Sequence, residues 1–194
     1  MPGPKDPACE HVGRALWTRR EESMNAEQAK VLVEHLAGLI ESEVATTCKV
    51  LAATKAGNGD YKPDPKSRSA RELAAHVAVA DNWFLQSIID GKFEFNPEEA
   101  GKAESGFKSA DEIVAFYQKE IPARLKQVRA LPGDTLAREV DFFGFLKLPA
   151  VSFLGLANNH SIHHRGQLAA YLRPMGSKVP SIYGGSADEP MAAG

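Results

Sequence analysis

The 194-residue sequence has little cysteine, no long apolar run and almost no net charge. Its two cysteines, Cys9 and Cys48, lie far apart and in no CxxC spacing. This argues against a disulfide framework or a thiolate zinc site and favours a reducing cytoplasm. No apolar run approaches the roughly 20 residues of a membrane-spanning helix, and the first residues show no signal-peptide core. With 23 basic and 25 acidic residues, the chain also lacks the charge of a nucleic-acid-binding protein, so we expect neither a membrane nor a nucleic-acid partner.

The sequence contains 43% hydrophobic and 25% charged residues, which is typical of a globular protein. Its length fits one domain. Residues 1–23 differ from the rest, because three prolines fall in the first eight positions and no apolar stripe is sustained. We expect residues 1–23 to be a flexible N-terminal extension. Residues 24–194 then form the domain, ending in a Gly/Pro/Ser-rich coil after Pro174.

Helical periodicity dominates the domain. Four segments carry apolar residues at helical spacing: residues 25–55, 69–91, 109–131 and 149–172. Three of them begin with capping-box pairs: Asn25 with Gln28, Ser69 with Glu72, and Ser109 with Glu112. With no convincing strand pattern, these signals predict an all-α fold, a four-helix bundle.

Loops and a helix kink are predicted where helical periodicity is lost or a proline interrupts it. Residues 92–108 are polar and without sustained periodicity, which indicates a connecting loop. Pro122 is expected to kink the third helix, because a proline removes one backbone hydrogen bond. The aromatic stretch 135–148 is interpreted as a short extended or irregular pass over one end of the bundle.

The last helix contains three histidines within five residues, in the sequence NNHSIHHRGQLAAYL (158–172). His160 and His164 are four residues apart, so they share one face of a helix. They fall in an apolar series that also contains Leu154, Ala157, Leu168 and Tyr171. His163 falls on a polar flank, where a surface position or a place beside the ligands is expected.

A third candidate ligand, His76, lies in the apolar stripe of the second helix, between Leu73 and Ala80. We therefore hypothesise that His76, His160 and His164 meet in the bundle core and bind one metal ion. A hydrogen-bonded core histidine is the alternative for each, and His35 is expected on a flank. Three imidazoles suit zinc, nickel, iron or copper better than magnesium or calcium, and leave a coordination position open. A di-iron carboxylate centre and an HExxH protease site find no support in the sequence.

Three segments carry a resemblance to a known family: ELAAHVAVADNW (72–83), NHSIHHRGQLAAYLR (159–173) and KVPSIYGGSADE (178–189). Together they resemble the DinB/YfiT-like superfamily, over roughly residues 25–188. The resemblance implies a four-helix bundle, commonly dimeric, with a three-histidine metal site. Carried over residue by residue, the implied ligands are again His76, His160 and His164. The family includes metal-dependent transferases that use low-molecular-weight thiols, and related isomerases.

These observations lead us to expect a metal-dependent enzyme. Its divalent zinc, nickel or iron ion would activate a thiol or water for transfer to, or hydrolysis of, a small electrophilic substrate. The expected cofactors are the ion and a low-molecular-weight thiol, and the expected assembly is a homodimer. No general acid or base is identifiable, which favours the alternative of a non-catalytic, stress-related bundle that binds a metal or a small molecule.

Other residues of the segments that resemble the family each allow two interpretations. Arg165 and Gln167 could have a role, beside the ligands or at a dimer contact. Alternatively, they are solvated helix positions. Gly166 is interpreted as a site of close helix packing.

Two aromatic residues, Trp83 and Tyr171, either line a pocket mouth or fill the core. Glu43 falls near the inward side of the first helix, where a base could lie, but no pattern assigns it that role. Cys48 is expected to be a buried apolar residue.

Overall fold

The computed structural model of the chain describes residues 23–191. The predicted extension, residues 1–23, therefore lies outside the described part except for Ser23. The described helices are α1 (Ala26–Ala53), α2 (Ala70–Asp90), α3 (Pro97–Ser105), α4 (Ala110–Ala130), α5 (Gly133–Ala137) and α6 (Phe153–Leu172). The two strands are β1 (Glu139–Phe142) and β2 (Leu146–Pro149). The predicted all-α four-helix bundle is confirmed, with α1, α2, α4 and α6 as its long helices.

The bundle is closed around one apolar core. Helix α1 packs against α4 and α6, and α2 packs against the same two helices from the other side. The interior is filled by side chains that recur at helical spacing, such as Val33, Leu73, Ile121 and Leu154, each 1% exposed or less. This arrangement places α2 beside α6, which brings the histidine-bearing segments of both helices together.

The helix starts follow the predicted caps, with one difference. Asn25 and Ser69 each form both hydrogen bonds of a capping box with the third residue of the helix. At α4, the Ser109 side chain accepts from the Glu112 N–H, but Glu112 Oε2 accepts from the backbone N–H of Lys108. The reciprocal half of the third predicted box is therefore wrong, although the same carboxylate still satisfies a free backbone donor.

The prediction of a plain connecting loop over residues 92–108 is wrong, because this segment contains α3. Asn96 caps it by accepting from Glu98 N and Glu99 N, and Pro97 occupies its first position, where no donor is needed. None of the residues of α3 is buried, so it shows no apolar stripe. A short surface helix of this kind gives almost no periodic signal.

The aromatic stretch 135–148 is partly extended, but it forms a β-hairpin rather than an irregular pass. Strands β1 and β2 pair antiparallel, with Val140 opposite Leu148. The turn between them has Phe143 at φ 53° and Gly144 at φ 75°, with Phe145 N–H donating to Phe142 O. Two left-handed residues make a type I′ turn, in which a phenylalanine at the first central position is strained. The final helix starts later than predicted, at Phe153, after one 3₁₀ turn at Ala150–Ser152.

Residues 173–191 contain no helix or strand and fold back along the bundle. Ser177 Oγ donates to the carbonyl of Ala53, and Arg173 forms an ion pair with Asp188 at 2.9 Å. None of the helices between residues 23 and 191 combines the length and the hydropathy needed to cross a bilayer.

Candidate metal centre

Three histidines of α2 and α6 lie together, as the sequence predicted. His76, His160 and His164 each offer one ring nitrogen, and these nitrogens all lie within 4.8 Å of one another. Their ring centroids are 4.5 to 5.3 Å apart. The donor set therefore fits a single borderline transition-metal ion held by three imidazoles.

The cluster is not in the bundle core, so that part of the sequence interpretation is wrong. The side chains of His76 and His160 are 20% and 19% exposed. The buried face of α6 runs instead through Ala157, Ser161, Arg165 and Leu168. The predicted stripe is buried toward both ends of α6, but in the middle Ser161 and Arg165 take the inward positions assigned to His160 and His164, and the histidines lie at its edge. This position gives a small molecule access to the site.

Each histidine of the cluster is oriented through its Nδ1 atom. His76 Nδ1 lies 2.8 Å from Glu104 Oε1, and His164 Nδ1 lies 3.0 Å from Gln167 Oε1. His160 Nδ1 lies 3.5 Å from Asp81 Oδ1, which is longer than an ordinary N–H···O hydrogen bond and makes this the weakest of the three contacts. An oxygen acceptor at Nδ1 favours the tautomer that carries its proton there. The lone pair of each neutral ring is then on Nε2, as a metal ligand requires.

The acceptor for His160 is itself held in a buried network. Asp81 is 5% exposed and accepts from the hydroxyl of Tyr117 at 2.8 Å. Burial and the charge of Asp81 raise the pKa of Tyr117 well above its usual value, so the hydroxyl keeps the proton that it donates. Ser161 Oγ lies 3.5 Å from the same hydroxyl. The network joins α2, α4 and α6 behind the histidines.

Burial lowers the pKa of His164, and the neighbouring His160 and His76 lower it further, against the hydrogen bond to Gln167. A lower pKa means that His164 stays neutral to a lower pH than a solvated histidine. Its lone pair is therefore available to a metal ion at neutral pH.

Glu104 offers a first test of this orientation. We expect Glu104→Ala to weaken zinc binding about 10- to 100-fold, the usual cost of losing a residue that orients a ligand. The matched control is Glu98→Ala, on the same helix, whose ion pair with Lys102 is exposed; it should leave affinity within about twofold. Competition with a chelator at fixed pH measures both. Equal affinities for the two variants would show that Glu104 does not support His76.

A cavity of about 790 Å³ opens beside His76, between α2 and α3. Its apolar wall includes Val79, Ala80 and Trp83 of α2, and its opposite wall includes Ala100 and Glu104 of α3. The volume is that of a typical small-molecule site. The candidate centre therefore has a space in which a substrate could lie.

Two further histidines lie between residues 23 and 191, and both are outside the cluster. His163 and His35 are exposed, although the ring centroid of His163 is 4.8 Å from that of His164. Trp83 lines the cavity, whereas Tyr171 is 6% exposed and packs edge-to-face on Tyr61.

Arg165 is a buried residue, so the interpretation as a solvated position is wrong. It is 2% exposed and donates to Glu43 Oε2 at 2.5 Å and to Thr47 Oγ1 at 3.1 Å. Tyr183, from the C-terminal segment, accepts from Arg165 at 2.5 Å and donates to Glu43 Oε1 at 3.0 Å. Both carboxylate oxygens of Glu43 are therefore engaged, which removes it as a candidate base.

The structure also tests the expectations for Gly166 and Cys48. A Cβ added at Gly166 would meet no atom within 4 Å, so close packing within the chain does not explain this glycine. Cys48 is buried, and burial raises the pKa of its thiol, in keeping with a small apolar role.

Sequence reasoning missed Asp81 and Glu104 as supports of the site. Asp81 carried a signal, because it is a carboxylate at helical spacing with Val77, Ala78 and Leu85 on α2. A buried carboxylate in such a stripe needs polar partners. Glu104 carried no signal, because it lies in a segment whose helix is not periodic.

Comparison with known proteins agrees with this architecture. The model of the DinB family matches residues 24–192. The chain is 34% identical over 126 residues to the protein YjoA of Bacillus subtilis, covering 63% of this chain and 77% of that protein. It is 33% identical over 82 residues to YrdA of the same organism, covering 42% of this chain and 48% of YrdA.

Solved structures show the same fold. A DinB-like protein from Bacillus cereus superposes with a TM-score of 0.61 at 27% identity, covering 75% of this chain and 96% of that one. The DinB-like protein YjoA of Bacillus subtilis gives 0.55 at 25% identity, covering 74% and 93%. A mycothiol-dependent maleylpyruvate isomerase gives 0.53 at 14% identity, covering 75% of this chain and 61% of that one, which is a likeness of fold alone.

Proposed function

Since the chain belongs to the DinB family, we propose that it is a metal-dependent enzyme that joins a small electrophile to a thiol or hydrolyses it with water. His76, His160 and His164 hold the divalent ion in this proposal, with zinc, nickel and iron as candidates. The observation that carries it is the cluster of three imidazoles, of which His76 lines a cavity. The ion supplies Lewis acidity, which lowers the pKa of a thiol or of water.

The chain itself contributes orientation and shape. Glu104, Asp81 and Gln167 hold the three imidazoles in one tautomer, so that the ligand nitrogens are directed without a further loss of side-chain freedom. The wall of α2 beside His76 is apolar and offers a surface for an uncharged electrophile. A thiol is included as nucleophile because a protein of the same fold is described as mycothiol-dependent.

A second candidate function is metal or small-molecule binding without catalysis. The specific observation in its favour is that two carboxylates considered for proton transfer, Glu104 and Glu43, are already paired. Glu104 is bonded to His76 and to Arg68, and Glu43 is bonded to Arg165 and Tyr183. Neither carboxylate is free to accept a proton from a substrate.

Metal content and turnover test the proposal together. Protein purified without a histidine tag should contain about one transition-metal ion per chain by elemental analysis. It should also turn over a member of a panel that combines electrophiles with low-molecular-weight thiols or water, and His160→Ala should abolish that turnover. A chain that contains no metal and binds neither nickel nor zinc would refute the metal centre. Full metal occupancy without turnover across the panel would favour the binding function.

A further inference from the structure

The cavity between α2 and α3 extends along α2 away from the histidines, and the metal centre alone does not explain this shape. Its α2 wall is formed by residues at helical spacing, starting at His76 and continuing through Val79 and Ala80 to Trp83. Trp83 lies seven positions after His76, which is about 10 Å along a helix at 1.5 Å per residue. An apolar path therefore connects the histidines to an indole ring.

Trp83 is fixed in orientation although it faces a cavity. Its Nε1–H donates to the carbonyl of Glu94 at 2.9 Å. The ring of Phe143 lies nearly parallel to the indole, at an interplanar angle of 8° and a centroid distance of 6.4 Å. Phe95 meets the same ring edge-on at 5.8 Å. A fixed aromatic surface beside open space can bind another planar ring with little loss of side-chain entropy.

The aromatic residues around Trp83 are held in an energetically unfavourable arrangement, which argues for a binding function. Phe143 adopts φ 53° at the tip of the hairpin, a conformation that strains a phenylalanine. Phe143 and Phe95 remain 44% and 54% exposed, so neither is placed there to fill the core. The chain thus holds the exposed ring of Phe143 against Trp83 at the expense of backbone strain.

The charged residues that line the cavity disfavour binding of an anion. The two basic side chains of the lining are already paired, Arg68 with Glu104 at 2.6 Å and Lys92 with Glu94 at 2.9 Å. Two further acidic side chains, Asp90 and Glu99, belong to the same lining. An anionic ligand would find no unpaired cation among these residues and would be repelled by the carboxylates.

From these observations we propose that the cavity binds an uncharged molecule with an aromatic ring, which packs on Trp83 about 10 Å from the histidines. This molecule is the electrophilic substrate, an assignment that rests on the proposed function. Its reactive atom lies toward His76 and its ring lies between α2 and α3. The ring-binding site itself is defined by the cavity and does not depend on turnover.

Tryptophan fluorescence tests the site directly, because the chain has two tryptophans. In the full-length Trp17→Phe protein, loaded with zinc, Trp83 is the sole tryptophan. The probe is 1,3-dinitrobenzene, which is planar and uncharged and has no leaving group. We expect saturable static quenching, in which intensity falls while the fluorescence lifetime of the remaining signal is unchanged. Quenching that shortens the lifetime in proportion to intensity would be collisional and would overturn the proposal.

Two comparisons sharpen the result. Ala100→Leu adds bulk to the opposite wall of the cavity and should weaken the static quenching about tenfold. Ala45→Leu, at an exposed position of α1, is the matched control and should have no effect. 3-Nitrobenzoate replaces one nitro group by a carboxylate. In the metal-free protein, where this carboxylate cannot bind to zinc, it should bind at least about fivefold more weakly than the uncharged probe. Static quenching that Ala100→Leu leaves intact, or equal binding of both probes, would contradict the assignment.

Failure of the two proposals can be told apart. If the probe binds as described but no electrophile is turned over, the ring-binding site stands and the enzymatic function does not. If turnover is found without static quenching of Trp83, the function stands and the substrate lies elsewhere.

Discussion

His164→Ala is expected to abolish stoichiometric metal binding, whereas His163→Ala should leave affinity within about twofold. The two histidines are adjacent in the chain and their rings touch, yet only His164 has its nitrogen within 4.8 Å of those of His76 and His160. Removal of one of three ligands should weaken binding by more than about 100-fold, because even loss of an orienting partner costs about 10- to 100-fold.

Isothermal titration of the metal-free variants with zinc measures this difference. His163→Ala serves as the matched control, since it removes the same kind of side chain from the preceding position of the same helix. His76→Ala provides the independent check that the third ligand comes from α2. The reverse ranking of the two α6 variants would mean that the metal is bound on the outer face of that helix.

Arg165→Met is expected to lower the free energy of unfolding of the metal-free protein by about 3 to 5 kcal/mol, the typical cost of removing one partner of a buried ion pair. Arg165 is 2% exposed, and its loss leaves the carboxylate of Glu43 without a cation and Thr47 without a donor. The metal-free state is used because bound metal would add its own stabilisation.

Urea unfolding measures the effect, and Arg173→Met is the matched control. Arg173 forms an ion pair of similar length with Asp188, but its side chain is 53% exposed, so its loss should cost no more than about 1 kcal/mol. The double variant Glu43→Gln, Arg165→Met should recover part of the loss, because no carboxylate is then left unpaired. A loss below about 1 kcal/mol for Arg165→Met would show that the pair is not effectively buried.

The histidine cluster illustrates how much of a site a sequence can reveal. The four-residue spacing of His160 and His164 predicts a shared helix face whatever the helix packs against. The polar His76 among apolar residues of the second helix was then a natural third partner. Their burial was predicted wrongly, because the apolar residues at the two ends of α6 fit a stripe completed by His160 and His164 as well as one completed by Ser161 and Arg165. Such patterns leave the rotation of a helix uncertain by about one residue.

The residues that support the cluster show what the sequence could not supply. Glu104 reaches His76 from α3, a helix without an apolar face, and no local pattern places it near α2. Arg165 and Glu43 are 122 positions apart and meet only because α6 packs beside α1. Trp83 becomes a wall of a cavity only when α3 and the hairpin lie against α2.

By itself, the sequence determined the bundle helices, most of their caps and the three histidines. These features depend on interactions between residues three or four positions apart, which a helix makes regardless of its surroundings. Only the tertiary structure decided that the cluster is partly exposed, with His76 beside a cavity, and that Arg165 is buried. It also decided that Glu104, Asp81 and Gln167 contact the three histidines. Those properties depend on how helices distant in the chain pack against one another, because desolvation and long-range hydrogen bonds exist only once that packing has formed.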